Sequence, residues 1–210
     1  MNKSEPIHLK KLLRADLEKL TIGGQILEAD GLGPKVFQLS SGLILKIFRQ
    51  RRLFSSATFS PYAGRFIRNA QRLEATGIAT VSPVQYFDLP EKRTTAVLYR
   101  PLPGITVAQL ARDGKLEPAI IRDLAHFIRR LHQKGIYFRS LHIGNIVRTP
   151  EQRWGLIDVA DMTFRRRALS RTLIERNFRQ FKRHLDHFCA YYRCEFPWQK
   201  LREGYDAAGS

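Results

Sequence analysis

The stretch YFRSLHIGNIV, residues 137–147, decides how the rest of the chain is interpreted. A short apolar strand leads into a polar loop, and the loop ends in Gly144 and Asn145 before a second apolar segment. Thirteen residues after Asn145, the apolar run GLID ends in Asp158. An amide and a carboxylate at the ends of neighbouring strands are oxygen ligands of the kind that Mg²⁺ prefers. The stretch therefore predicts a metal-binding pair beside a short hairpin.

The segments around this loop predict an α+β chain. Leucines at helical spacing predict an amphipathic helix over residues 8–20. Alternating apolar residues predict strands within residues 25–48, followed by a helix over 62–76 and a hairpin over 84–100. A long helix over 117–134, closed by a glycine, precedes the loop, and a helical tail follows it to about residue 204.

Lys46 lies inside the apolar strand LILKIF. An ammonium group is expensive to bury unless it meets an anion, so a buried lysine at this position would indicate a phosphate-binding role. The alternative is a lysine on the solvent face of an edge strand. The sequence leaves both interpretations open.

The order of these features resembles the protein-kinase-like fold: a strand lysine, a helix, a hairpin, a long helix, a loop ending in asparagine, then an aspartate. The loop SLHIGN resembles the D-L-H-x-G-N loop of small-molecule and glycan kinases. The stretch RFIRNAQRLEATGIATVSP is similar to the bacterial lipopolysaccharide core kinases, the Kdo and heptose kinase group. The resemblance covers roughly residues 25–200.

The resemblance implies a two-lobe fold. Residues 1–100 would form a small strand-rich N-lobe with an N-terminal helix, an antiparallel sheet and one further helix. Residues 101–210 would form a compact helical C-lobe that carries the catalytic-like loop.

The resemblance also implies a site for ATP and Mg²⁺. Lys46 would bind the α and β phosphates, and Asn145 and Asp158 would hold the magnesium ion. The backbone from Tyr99 to Leu102 would contact adenine.

Glycines in the turn DGLGPKVF would complete the phosphate site. Gly31 and Gly33 would belong to the turn over the phosphates. Pro34 makes this a poor glycine-rich loop, because proline lacks a backbone N–H that could meet phosphate.

Two positions depart from the family pattern. Ser140 stands where the family has the aspartate that accepts the proton of the substrate hydroxyl, and a serine hydroxyl cannot act as that base near neutral pH. Asn69 stands where a glutamate should pair with the strand lysine, and the nearest carboxylate, Glu74, falls on a different helix face. Candidate replacement bases are His142, for which a structural role is the preferred interpretation, and Asp161, which has a helix-capping alternative.

The chain of 210 residues carries a formal net charge of +17, which favours polyanionic partners. Residues 165–183 contribute eight basic residues and one acidic residue, and a solvated helix face explains such a run equally well. Two cysteines, at positions 189 and 194, are expected to be reduced thiols, with a zinc site as the weaker alternative. The absence of an apolar leader or spanning segment predicts a cytoplasmic protein, in peripheral contact with the inner membrane if its substrate is lipid-linked.

Two hypotheses about function follow. The first is an ATP-dependent kinase that phosphorylates a sugar hydroxyl of an anionic glycan or glycolipid, with the basic segment holding phosphates or the membrane surface. The second is a pseudokinase that binds nucleotide or a partner and transfers nothing. Nucleic-acid binding rests on charge alone and is disfavoured. The oligomeric state is left open.

Overall fold

A computed structural model describes residues 7–49 and 61–208. The chain divides into two compact units, Met1–Leu102 and Pro103–Ser210. Each unit has its own hydrophobic core.

The first unit is built on a six-stranded sheet with the strand order β1-β6-β7-β4-β3-β2. Neighbouring strands are antiparallel, apart from the parallel pair β1 and β6. The elements in chain order are β1 Leu9–Lys11, α1 Arg14–Thr21, β2 Gln25–Asp30, β3 Gly33–Gln38, β4 Ile44–Arg49, α2 Tyr62–Ala75, β5 Ala79–Thr80, β6 Ser82–Asp88 and β7 Thr94–Arg100.

Apolar side chains cover both faces of the central strand β4. Leu45 and Ile47 belong to a core cluster against which the helix residues Leu17 and Leu20 pack. The opposite face of the sheet packs against α2, where the ring of Phe66 lies 5.8 Å from that of Phe48. Successive strand residues point to opposite faces, so Lys46 lies on the same face as Phe48.

The predicted helix over residues 8–20 is shorter in the structure. Residues Leu9–Lys11 form β1 instead, and α1 begins at Arg14. The strand forms because its residues pair with Tyr86–Asp88 of β6, and the Gln85 side chain also donates a hydrogen bond to the carbonyl of His8. Local leucine spacing carries no information about a partner strand far along the chain, so tertiary pairing overrides it.

The second unit is mostly helical and contains short strands that carry the polar loop. Its elements are β8 Ile105–Thr106, α3 Val107–Arg112, α4 Pro118–Gln133, β9 Ile136–Phe138, β10 Ile146–Arg148, β11 Trp154–Leu156, β12 Met162–Phe164, α5 Arg171–Tyr192 and α6 Trp198–Ala207. Two 3₁₀ turns, Ile143–Asn145 and Val159–Asp161, lie between the strands. Strand β10 pairs antiparallel with β11 and β8, and β9 pairs antiparallel with β12.

Helix α3 was not expected from the sequence, although its start carries a local signal. Thr106 accepts a hydrogen bond from the backbone of Gln109, and the Gln109 side chain accepts one from the backbone N–H of Thr106. This reciprocal arrangement is a capping box, which the letters T-V-A-Q encode.

Gly135 ends helix α4 and brings the chain after β12 close to it. Its φ of +71° is left-handed, and an added Cβ would lie 2.4 Å from the carbonyl oxygen of Arg167. The backbone N–H of Arg165 donates to the Gly135 carbonyl at 2.9 Å. Only glycine allows this close approach, which anchors the start of the basic segment against α4.

The α+β prediction is confirmed, with a strand-rich first unit and a mostly helical second unit. Within the described ranges, no helix has both the length and the apolar character needed to cross a bilayer.

Candidate functional site

The polar loop of the second unit runs from β9 to β10 and is held by backbone and side-chain hydrogen bonds. The N–H of Leu141 donates to the carbonyl of Phe138 at 3.1 Å, and the N–H of Asn145 donates to the carbonyl of His142 at 2.9 Å. Leu141 and Ile143 are buried. These two apolar anchors fix the loop, so that the polar residues between and beside them have defined positions.

Ser140 and Asp161 meet at this loop. The Ser140 hydroxyl donates to Oδ2 of Asp161 at 3.3 Å, and Nε of Arg139 donates to the same oxygen at 2.8 Å. The backbone N–H of Arg139 also donates to the carbonyl of Asp161 at 3.1 Å. The pairing of β9 with β12 therefore places a carboxylate beside the serine that occupies the base position.

Asn145 is anchored by its amide nitrogen. Its Nδ2 donates to the carbonyl of Ser140 at 3.0 Å, and its side chain is buried. Because the nitrogen is engaged in this way, Oδ1 is the amide atom that would face a metal ion. The structure thus links the asparagine to the loop residue at the base position.

Asp158 lies at the same end of the β10–β11 hairpin as Asn145. Ile146 pairs with Leu156, and the N–H of Ile157 donates to the Asn145 carbonyl at 3.0 Å. Asp158 follows directly and is exposed. This register places the backbones of the two predicted metal-binding residues at the same end of the hairpin.

The backbone of Asp158 is in the left-handed region, with φ 55° and ψ 44°. Non-glycine residues adopt this conformation at an energetic cost, and such residues cluster at functional sites. The buried Val159 and Ala160 that follow hold the chain in place. The surrounding packing therefore imposes this conformation on Asp158.

The geometry of His142 favours a structural role. Its Nδ1 accepts a hydrogen bond from the N–H of Gly144 at 3.1 Å, and its ring stacks on that of His184 at 4.7 Å. The pKa of His142 is lowered from 6.5 to about 4, mainly by burial and in part by the neighbouring His184, while Asp158 opposes the shift. The neutral ring carries its proton on Nε2, so neither nitrogen has a free lone pair with which to accept a proton.

A buried chain of hydrogen bonds supports the strand that leads into the loop, and no local sequence pattern indicates it. The Asn177 side chain donates to the carbonyl of Phe138 at 2.7 Å, and its Oδ1 lies 3.0 Å from Nε2 of His132. The hydroxyl of Tyr205 lies 2.8 Å from Nδ1 of the same histidine. Because Asn177 accepts at Oδ1, His132 donates from Nε2 and accepts from Tyr205 at Nδ1.

Lys46 in the first unit is buried, with only 6% of its surface exposed. Strand β4 lies between β3 and β7 in the interior of the sheet. The alternative of a lysine on the solvent face of an edge strand is therefore excluded. The interpretation that remains from the sequence is that of a buried lysine that meets an anion.

Asn69, at the position of the expected glutamate, is buried on α2, which packs against β4. Glu74 on the same helix is exposed, so it does not face the sheet as a replacement. The face of α2 that meets the sheet therefore presents an amide at this position and no carboxylate.

The turn between β2 and β3 is tight. Asp30 pairs with Gly33, so the turn proper consists of Gly31 and Leu32. The N–H of Leu32 already donates to Oδ1 of Asp30 at 2.9 Å, and the following Pro34 has no N–H. Gly33 has a φ of +104°, which permits the tight reversal. The turn is a weak phosphate cradle for this reason.

The segment after β7 offers few backbone donors for adenine. Tyr99 lies within β7 and packs against Phe66, with their ring centroids 5.1 Å apart. Arg100 pairs with Ser82, and Pro101 has no N–H. Leu102 is the next residue of this segment that carries a backbone N–H.

Comparison with known proteins identifies the family. The model of the lipopolysaccharide kinase (Kdo/WaaP) family matches residues 42–205, which is most of the chain. The chain belongs to this family. No curated protein matches it.

Two solved structures are similar to this chain. One is a co-crystal structure of WbdD and kinase inhibitor LY294002, with 13% identity and a TM-score of 0.46, covering 84% of this chain and 42% of WbdD. The other is a crystal structure of WbdD with 12% identity and a TM-score of 0.47, at the same coverage. The family member described here spans less than half the length of those proteins.

Membership of the lipopolysaccharide kinase family agrees with the predicted kinase-like fold class. The amide of Asn145 and the carboxylate of Asp158 are suitable ligand types for a magnesium ion. Mg²⁺ is commonly held by one or two protein oxygen ligands together with substrate phosphates. Among the residues that the structure describes, no cluster of three or more His, Cys, Asp or Glu side chains could hold a metal on its own. Cys189 and Cys194 are free thiols.

Proposed function

We propose that the chain is an ATP-dependent phosphotransferase that phosphorylates a sugar hydroxyl of an anionic glycan or glycolipid, with Asp161 as the base. The observation that carries this proposal is the hydrogen bond from Ser140 to Asp161 at 3.3 Å. It gives the loop a carboxylate where its own sequence has none. Family membership supports the kinase class and a lipopolysaccharide-type acceptor.

The reaction follows from the roles of these residues. The acceptor oxygen attacks the γ phosphorus of ATP, its proton passes to the Asp161 carboxylate, and the bond to the β–γ bridging oxygen breaks to release ADP. The Asp161 side chain is 25% exposed, which leaves it accessible to a hydroxyl group. Arg139 and Ser140 orient the carboxylate. Positioning of the reacting groups is a major part of what a protein contributes to catalysis of phosphoryl transfer.

The phosphate and metal assignments complete the proposal. Lys46 would bind the α and β phosphates, assisted by Asn69 and by the turn at Gly31 and Gly33. Asn145 and Asp158 would hold Mg²⁺, which supplies charge neutralisation for the phosphates when it is bound. Adenine would meet the backbone from Tyr99 to Leu102.

A pseudokinase is the second candidate, and specific features of the first unit favour it. Asn69 cannot neutralise Lys46 as a glutamate would, and the N–H of Leu32 is already used by Asp30. Both features weaken phosphate binding. A chain of this kind would bind nucleotide or a partner without transfer.

The decisive experiment measures transfer of radiolabelled γ-phosphate from ATP to purified lipopolysaccharide core. Label in the glycan, dependent on Mg²⁺ and lost in Asp161→Asn, is the expected result. ATP binding without label transfer to any core acceptor would favour the pseudokinase instead. Equal transfer by the wild type and Asp161→Asn would overturn the role given to that carboxylate.

The proposed location follows from the proposed substrate. A lipid-linked acceptor would place the chain at the cytoplasmic side of the inner membrane, in peripheral contact with it. Co-sedimentation of the purified chain with vesicles that contain lipopolysaccharide tests this placement.

A further inference from the structure

Two cavities of the second unit adjoin along helix α5. The first, of about 480 Å³, lies between α4, α5 and α6. The second, of about 560 Å³, lies further along α5, beside the start of α6. They share Glu175 and Arg202 and are therefore adjacent, and we call the two together the α5 groove.

Basic residues dominate the lining of the α5 groove. The basic side chains are Arg129, Arg171, Arg179, Lys182, Arg183 and Arg202. The acidic side chains are Glu175, Asp186 and Asp206. Six positive groups against three negative groups leave an excess of positive charge in a concave setting, where it attracts anions more strongly than on a convex surface.

Two of these arginines are fixed by aromatic rings. The guanidinium of Arg129 lies 5.1 Å from the ring centroid of Tyr205 and donates from Nη1 to the Tyr205 carbonyl at 2.9 Å. The guanidinium of Arg202 lies 4.1 Å from the ring centroid of Phe178. Stacked guanidinium groups have little freedom left to lose, so the positive charges of Arg129 and Arg202 have fixed positions in the groove.

Arg129 also has an unused donor. Its Nε is buried and has no hydrogen-bond partner in the part of the chain that the structure describes. A buried donor without a partner is destabilising. Arg129 itself is one of the residues that line the first cavity.

The acidic residues are largely engaged within the groove. Glu175 accepts from both terminal nitrogens of Arg202, at 2.9 and 3.5 Å, and Asp186 accepts from Lys182. Arg171, Arg179 and Arg183 are exposed. The excess charge is therefore presented to solvent by these three residues, which lie on one helix.

The length of the groove suits a ligand with more than one anionic group. At 1.5 Å per residue, Arg171 and Arg183 are separated by about 18 Å along the helix axis. Half-buried Trp198 lines the second cavity and adds an apolar surface. An oligosaccharide carrying phosphates matches this combination of spaced charge and one aromatic side chain.

We propose that the α5 groove binds phosphate groups carried on the saccharide portion of the acceptor, away from the hydroxyl that reacts. The identity of the saccharide as an acceptor rests on the proposed function, whereas phosphate binding itself does not. The concave shape and the fixed arginines favour a discrete phosphorylated sugar over a flat lipid surface.

Calorimetry with fructose bisphosphate, in the absence of nucleotide, tests this inference. Arg179→Gln/Arg183→Gln removes two groove charges and retains good helix formers. Roughly tenfold weaker binding is expected, because two solvent-facing charge contacts are lost. The matched control, Arg122→Gln/Arg130→Gln, removes two exposed charges from α4 outside the groove and should bind as the wild type does.

Three outcomes would overturn the inference. The first is no detectable binding of the sugar bisphosphate to the wild type. The second is an equal loss in the two double variants, which would indicate a general charge effect. The third is groove-dependent binding to phosphatidylglycerol vesicles without binding of the sugar, which would assign the groove to a membrane surface.

Asp158→Ala separates this inference from the proposed catalytic function. The variant should lose phosphotransfer but still bind fructose bisphosphate with the wild-type affinity. A catalytically inactive wild type that binds the sugar would reject the kinase proposal alone, whereas an active wild type that does not bind it would reject the groove alone.

Discussion

The hydroxyl of Ser140 lies 3.3 Å from Oδ2 of Asp161, although the two residues are twenty-one positions apart. The carboxylate reaches this position because β12, which follows Asp161, pairs with β9, which precedes the loop. A carboxylate delivered from a neighbouring segment can serve the same acceptor hydroxyl as one carried on the loop itself.

Asp161→Asn should reduce phosphotransfer by roughly 10² to 10⁴-fold while leaving ATP binding unchanged, because it removes a base without altering the shape of the site. Initial rates with a saturating glycan acceptor measure the effect. Ser140→Ala is the control and should lose less than about tenfold, since its hydroxyl only orients the carboxylate. Partial rescue of the rate by Ser140→Asp in the Asp161→Asn background would show that a carboxylate at this loop acts as the base. A fully active Asp161→Asn variant would show that Asp161 is not the base.

Asp158→Ala should abolish the magnesium-dependent part of ATP binding. Asn145 alone would be left as a protein ligand, and an isolated amide oxygen is a poor site for Mg²⁺. Calorimetric titration of ATP with and without Mg²⁺ makes the measurement. Asp113→Ala, on the surface of the same unit, should behave as the wild type. Unchanged magnesium dependence in Asp158→Ala would show that the metal is held elsewhere.

Lys46→Met should weaken ATP binding by about tenfold or more without unfolding the chain. Methionine fills much of the same buried volume and removes the ammonium that would contact phosphate. Thermal unfolding in the absence and presence of ATP reports both properties in one experiment. Lys35→Met on the adjacent strand, where the lysine pairs with Glu28 at the surface, is the matched control. A variant that retains full stabilisation by ATP would contradict the role of Lys46.

Acidification should destabilise the fold between pH 6.5 and pH 4, partly through His132. Burial lowers the pKa of His132 from 6.5 to about 4, with Arg129 and Arg202 adding to the shift and the hydrogen bond to Asn177 opposing it. In this window the unfolded chain binds a proton that the folded chain does not, so stability falls as the pH falls. The contribution of this side chain is up to about 3 kcal/mol.

Urea unfolding at several pH values tests the role of His132. His132→Gln should be less stable at pH 7 but should show a weaker dependence on pH, because glutamine does not titrate. His126→Gln, at an exposed position of the same helix, should keep the wild-type dependence. A pH dependence in His132→Gln as steep as that of the wild type would assign acid sensitivity to other groups.

Local patterns predicted the elements that surround the loop, because apolar periodicity and glycine termination are encoded within each segment. The same patterns could not establish the burial of Lys46. The position of β4 within the sheet depends on its pairing with β7, where Lys46 lies opposite Val97. The hydrogen bonds that link His132, Asn177 and Phe138 could not be predicted from the sequence for a similar reason. Its members lie on separate elements, and nothing in the identity of a single histidine or asparagine indicates a buried partner.

The candidate site was predicted as a set of residues, without its internal geometry. The sequence offered His142 and Asp161 as alternative bases. The hydrogen bond from Gly144 to Nδ1 of His142 distinguishes them in the structure, because it occupies the lone pair that a base would need. Backbone contacts of this kind depend on loop conformation, which residue spacing alone does not specify.

The left-handed backbone at position 158 suits one residue type for stability and another for the proposed function. Glycine adopts this conformation without strain, so Asp158→Gly should unfold at a higher temperature than Asp158→Ala, although neither retains the carboxylate. Folding stability alone would favour glycine at this position. The carboxylate proposed to hold the metal is thus maintained at a residue where selection for stability and selection for catalysis would act in opposite directions.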